Sequence, residues 1–101
     1  MEKTKEIIWT ETAVNDLREI YNYLSCRSIS AANKLIDKLV HAPEIIAIKG
    51  FQHAFVNDEY NKNYKRLISG NYKILFSLRF EKIVIQRIFD TRQNPAKLNQ
   101  M

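Results

Sequence analysis

The sequence predicts an α+β fold in which an antiparallel helical hairpin packs on one face of a mainly antiparallel, twisted sheet. Three observations carry this. Two apolar stripes of helical period fill the first half of the chain. After Asn63 the period changes to two, with tight turns at Ser69-Gly70-Asn71 and Arg79-Phe80-Glu81-Lys82. The segment Ile83–Phe89 is apolar almost throughout, as suits a central strand covered on both faces.

The elements follow in order. Lys5–Trp9 reads as a short strand rich in β-branched and aromatic residues, ending at a threonine-rich stop. Thr10 or Thr12 caps the first helix, with Glu11 and Asp16 near the positive end of its dipole. Ala13, Val14, Leu17, Ile20, Tyr21 and Leu24 form its apolar stripe, and Arg18, Glu19 and Asn22 lie opposite. Ser28 or Ser30 caps a second helix carrying Ala31, Ala32, Leu35, Ile36, Leu39 and Val40 on its apolar side. Pro43 ends this helix near His41, because proline brings no N–H to the ladder. A further short helical turn is expected over Glu44–Ile48, before Gly50. From Phe51 to Asn63 the asparagines and Asp58 suit a loop. The strands Tyr64–Ile68, Tyr72–Leu78 and Ile83–Phe89 follow, and a polar tail closes the chain. Two short helices joined by a brief loop form a hairpin with one apolar stripe each to cover, and the sheet supplies the surface.

The chain has 101 residues and a net charge of +5, fitting a single domain over 1–101. Residues 1–50 hold seven basic and seven acidic side chains, so the whole excess falls in residues 51–101, which hold nine and four. That asymmetry points to an acidic partner: nucleic acid, a membrane surface or an acidic polypeptide. A single cysteine, Cys26, cannot form an internal disulfide. The N-terminus lacks a signal-peptide core, and no apolar run approaches the roughly 20 residues of a membrane span. A cytoplasmic protein without membrane attachment is therefore expected.

Metal and cofactor chemistry find little support. His41 and His53 have no cysteine or carboxylate at ligand spacing, Cys26 lacks an identifiable activating base, and the glycines are too few to cradle phosphate. Asp58-Glu59 reads as a solvated loop pair. What remains is a basic set on the strands, namely Lys65, Arg66, Lys73, Arg79, Arg87 and Arg92, interleaved with Tyr60, Tyr64 and Tyr72. Cationic groups bind phosphate oxygens and aromatic faces stack on unpaired bases. The same groups equally suit a solvated face or ion pairs. Arg87 interrupts the most apolar strand and needs a partner, either Asp90 or a carboxylate from the helices.

The segments IIWTETAVNDLREIYNYL, AANKLIDKL, YKRLISGNYKILF and IQRIFDTRQNPAKL together resemble the RelE/ParE superfamily of toxins from bacterial toxin–antitoxin modules, over nearly the whole chain. The resemblance implies a small cytosolic toxin held in a hetero-oligomer by a cognate acidic antitoxin, whose poorly ordered segment folds onto the toxin. It also divides the possible targets. RelE-like members cut messenger RNA on the ribosome. For that activity the resemblance places Lys65, Lys73 and Arg92 in the catalytic cluster, with Lys73 standing where arginine is usual. The C-terminal tyrosine common in that branch falls near Leu98 here, and leucine can neither transfer a proton nor stack on a base through a π-face. ParE-like members share the plasmid-stabilisation style of terminus and poison DNA gyrase, and the resemblance favours that branch. Tyr64, Arg66, Tyr72, Arg79 and Arg87 are the expected partner- or nucleic-acid-binding residues in either case. A plain nucleic-acid-binding module is the third possibility; it would bind DNA or RNA with strong salt dependence and arrest nothing.

Overall fold

The computed structural model describes residues 6–47 and 56–92. The order of elements is β1 (Glu6–Trp9), α1 (Glu11–Ser25), α2 (Ile29–His41), α3 (Glu44–Ala47), β2 (Lys65–Ser69), β3 (Tyr72–Arg79) and β4 (Lys82–Asp90). The bounds lie within a residue or two of those expected. Lys5, Ile48, Gly50, His53, residues 93–95 and Leu98 fall outside the described residues.

Both helices begin where the hydroxyl caps allow. Thr10 Oγ1 accepts from the Ala13 amide at 3.1 Å, and Ser28 Oγ from the Ala31 amide at 3.1 Å. Pro43 ends α2 and is itself fully buried, and its carbonyl accepts from the Ile46 amide at 2.9 Å to start α3.

The four strands form one sheet in the order β1-β4-β3-β2. β2–β3 and β3–β4 are antiparallel hairpins, whereas β1 lies parallel to β4, with Glu6 opposite Lys82 and Trp9 opposite Ile85. β4 is thus central, as its apolar run demands. Tyr72, Ile74 and Phe76 of β3 join Ile83, Ile85 and Ile88 of β4 under the helices, where Ala13, Leu39, Ile46 and Ala47 close the core. On the other face Leu75 and Phe89 pack with Tyr64.

An irregularity in β4 goes beyond what alternation predicts. Leu75 pairs with Arg87, but the next residue, Phe76, pairs with Ile85, leaving Gln86 as an inserted residue. This β-bulge changes the phase of the strand, so that Ile85 and Ile88 both face the helices despite an odd spacing. Thr10 holds the bulge from the helix side: its hydroxyl donates to the Ile85 carbonyl at 2.8 Å, with the Gln86 carbonyl at 3.4 Å. Thr10→Ala therefore removes a helix cap and a bulge contact together. The expected loss is about 2 kcal/mol, read as a lower urea midpoint, while Thr10→Ser loses little.

The two hairpin turns solve one backbone problem differently. Each has a first central residue at positive φ, Gly70 at 60° and Phe80 at 56°. Glycine takes that conformation freely, whereas an L-residue with a Cβ is disfavoured there by roughly 1–2 kcal/mol.

Candidate partner-binding groove

Past Ile85, β4 has no strand beside it on the β1 side among the described residues, because β1 pairs only with Lys82–Ile85. Helix α1 runs along this edge. Between them lies a groove of ≈ 730 Å³, bordered by Ile20, Tyr23 and Leu24 of α1, by Tyr72, and by Arg87 and Arg92.

Asp16 is the keystone of this arrangement. It sits on the apolar stripe of α1, 9% exposed, and accepts three hydrogen bonds. Arg87 Nε reaches its Oδ2 at 2.8 Å, Arg87 Nη2 its Oδ1 at 3.2 Å, and the Ile88 amide its Oδ2 at 2.9 Å. A carboxylate thus satisfies both a half-buried guanidinium and a β4 amide that lies beyond the reach of the β1 pairing. The Arg87 guanidinium also lies 4.8 Å from the Phe89 ring centre. The partner that Arg87 requires is therefore a helix carboxylate.

Asp90 is engaged elsewhere. It takes Arg92 in a two-pronged pair, Nε to Oδ1 at 2.9 Å and Nη2 to Oδ2 at 2.6 Å, and accepts the Arg92 amide as well. The Arg92 hydrogen bond holds the Asp90 carboxyl below its ordinary value, against a smaller effect of burial. Burial, reinforced by the Asp90 charge, pushes the Tyr72 phenol up. The groove therefore carries two arginines already oriented by carboxylates, beside apolar and phenolic surface. Such a lining suits an extended polypeptide with acidic and apolar residues.

The other basic positions do not converge on this groove. The alternation of β2 and β3 puts Lys65 and Lys73 on opposite faces of the sheet, since Lys65 pairs with core-facing Phe76 and Lys73 neighbours outward-facing Leu75. Lys73 is buried, and its ammonium lies 2.6 Å from Asp58 Oδ1. Asp58 is itself buried, which corrects its reading as a solvated loop residue. Its Oδ2 also accepts from the amides of Tyr60 and Asn61 and from the Asn61 side chain. Burial works to raise the Asp58 carboxyl's pKa, but the Lys73 bond and these amides outweigh it and hold the group below its usual 3.8. The loop around Asp58 thus closes over the outer face, with Tyr60 5.5 Å from the Lys73 ammonium. Arg66 stands 4.0 Å from Glu59 beside this loop, and Tyr64 packs on Leu75 and Phe89. Arg79 is exposed at the opposite end of β3 from Tyr72. The structure thus gathers Tyr72, Arg87 and Arg92, and separates Lys65, Lys73 and Arg92.

Sequence reasoning allowed a helix carboxylate as the partner of Arg87 without singling out Asp16, and it took Asp58 for a solvated loop residue, though each left a signal. Asp16 falls on the stripe between Ala13 and Ile20, and Lys73 sits in an apolar strand and needs a carboxylate. His41 is exposed, with Nδ1 2.8 Å from Glu44. No helix among the described residues is long and apolar enough to cross a membrane.

Comparison with known proteins agrees with this architecture. No curated protein sequence matches the chain. Among solved structures, the chromosomal ParDE toxin–antitoxin system from P. aeruginosa superposes with a TM-score of 0.75 at 18% identity, covering 88% of this chain and 98% of that one. The toxin–antitoxin complex RelBE2 from Mycobacterium tuberculosis superposes with a TM-score of 0.60 at 14% identity, covering 87% and 92%. At such identities these likenesses speak to the fold. The family model for the ParE toxin of the type II toxin–antitoxin system parDE matches residues 7–95. The chain therefore belongs to the ParE toxin family, within the RelE/ParE superfamily.

Proposed function

We propose that this toxin arrests growth in the cytoplasm by poisoning DNA gyrase, and that a cognate acidic antitoxin neutralises it by laying a segment into the α1–β4 groove. The observation that most favours gyrase over messenger RNA is the dispersal of Lys65, Lys73 and Arg92. Stabilising a developing phosphorane needs cations aimed at one point. Here two lysines leave opposite faces of the sheet, and the one on the outer face is buried against Asp58. For the antitoxin, support comes from the +5 carried by the second half of the chain and from the arginines lining the groove, which favour rapid encounter with an acidic segment.

The test is direct. Purified toxin added to gyrase and supercoiled DNA is expected to accumulate cleaved complexes. Unimpaired supercoiling at large molar excess refutes the gyrase reading, and new 5′ ends on translated message that vanish in Arg92→Ala would put ribonuclease activity in its place. Arg92→Glu is expected to slow antitoxin association about tenfold, with the salt dependence reduced.

A further inference from the structure

The charges that border the α1–β4 groove do not by themselves favour an acidic guest. Three acids, Asp16, Glu19 and Asp90, stand against two arginines, Arg87 and Arg92, so the lining is one charge negative. Both arginines are held by carboxylates of the fold, Arg87 by Asp16 and Arg92 by Asp90. The +5 of the whole chain draws an acidic segment towards the molecule, but a carboxylate that settles in the groove needs a cation the fold has left unpaired.

Arg27 is such a cation. Ile20, Tyr23, Leu24 and Arg27 recur at three- and four-residue steps, which sets them along one side of α1 and its exit. The first three border the groove. The Arg27 guanidinium lies 5.3 Å from the Tyr23 ring centre, and its Nη2 donates to the Tyr23 hydroxyl at 3.3 Å. Among the described residues it pairs with no carboxylate. Its backbone is fixed as well, because the amides of Arg27 and Ser28 both donate to the Leu24 carbonyl, at 2.9 and 3.0 Å. A guanidinium ordered in advance by stacking and by a closed turn loses little freedom on binding. Tyr23 itself is 65% exposed, so most of its ring adds nothing to the core.

We propose that Arg27 seats a carboxylate side chain of the acidic antitoxin segment, with a neighbouring apolar residue of that segment resting on Ile20, Leu24 and Tyr72. This rests on the reading of the groove as the antitoxin's site and names the residue that reads its charge. The occupant is a polypeptide because of the same three acids. They repel a continuous phosphate backbone, whereas a peptide can place one acid on Arg27 and uncharged residues over Asp16 and Glu19. The planar fork of Arg27 suits a carboxylate in two-pronged geometry.

A displayed library of random peptides of about twelve residues, selected on the immobilised full chain, tests the seat. Groove binders are those whose affinity falls in Ile20→Ala. They are expected to carry Asp or Glu beside a large apolar residue. Arg27→Gln should lower their affinity about tenfold at an unchanged melting temperature. Replacing the peptide's acid by its amide should cost the wild type the same factor and Arg27→Gln almost nothing, as for a direct pair. Arg27→Lys should keep only part of the affinity, since lysine lacks the fork. Groove binders indifferent to Arg27→Gln, or whose acid couples to Arg92 instead, overturn the seat and leave the groove reading standing. A selection that yields no groove binder overturns both. Loss of single-stranded DNA binding in Arg27→Gln with the peptides unaffected makes Arg27 a phosphate contact and overturns the seat as well.

Discussion

Asp16→Ala is expected to destabilise the protein by about 3 kcal/mol, a fall of roughly 15 °C in melting temperature for a chain of this size. The substitution leaves the Arg87 guanidinium and the Ile88 amide without their shared acceptor, and the cost of stranding such groups exceeds the net strength of the pair. A quarter of the Arg87 side chain reaches water, which keeps the figure at the low end of the range for buried pairs. Asp16→Asn should fall between the two, because its amide oxygen still accepts from Ile88 while the charge is lost. The double change Asp16→Ala with Arg87→Met should recover part of the stability, since the stranded charge goes but the orphan amide stays. Thermal unfolding by circular dichroism checks all three. A loss under about 1 kcal/mol in Asp16→Ala would show that the bulge and Arg87 find other partners.

The second large effect concerns the loop over the outer face. Asp58→Ala should cost about 3 kcal/mol, and more than Lys73→Met. The asymmetry follows from the contacts. Without Asp58, three N–H donors of the loop and a buried ammonium lose one acceptor group together. Without Lys73, the carboxylate keeps its amide donors. Acid sensitivity gives a separate readout. The Asp58 carboxyl has a lowered pKa in the folded protein, so its contribution is complete above the ordinary value of 3.8 and is lost as pH falls through the lower folded value. In Lys73→Met, burial is opposed only by the amides and the carboxyl's pKa rises, so acid unfolding should begin at a higher pH than in the wild type. An acid midpoint that does not move would mean that Lys73 contributes little to holding Asp58 ionised.

Most of the architecture could be read along the chain because it rests on local rules. Helical spacing in Ala13–Leu24, proline at 43, and the turns at Gly70 and Phe80 each act within a few residues. What stayed hidden depends on pairs far apart in sequence. The parallel pairing of Glu6–Trp9 with β4 and the Asp16–Arg87 contact join residues more than seventy positions apart. The Gln86 bulge shifts the phase of β4 without interrupting its apolar composition, so Ile83–Phe89 looks like an unbroken strand. The scattered basic residues looked like one set because charge carries no information about which face a side chain leaves. Once β2 and β3 are in register, Lys65 and Lys73 part company.

The pairing of β1 with β4 bears on how the molecule comes into being. Among the described residues the first strand pairs only with residues 82–85, seventy-six positions further along the chain. Synthesis proceeds from the N-terminus, so α1 and α2 emerge while the strand that anchors the sheet is still unmade. Contacts of such long range form late and slow the search for the native state. A translation product that stops short of β4 gives β1 nothing to lie against and leaves the helical stripes uncovered. The sheet, and with it the groove between α1 and β4, is therefore incomplete until β4 has been made.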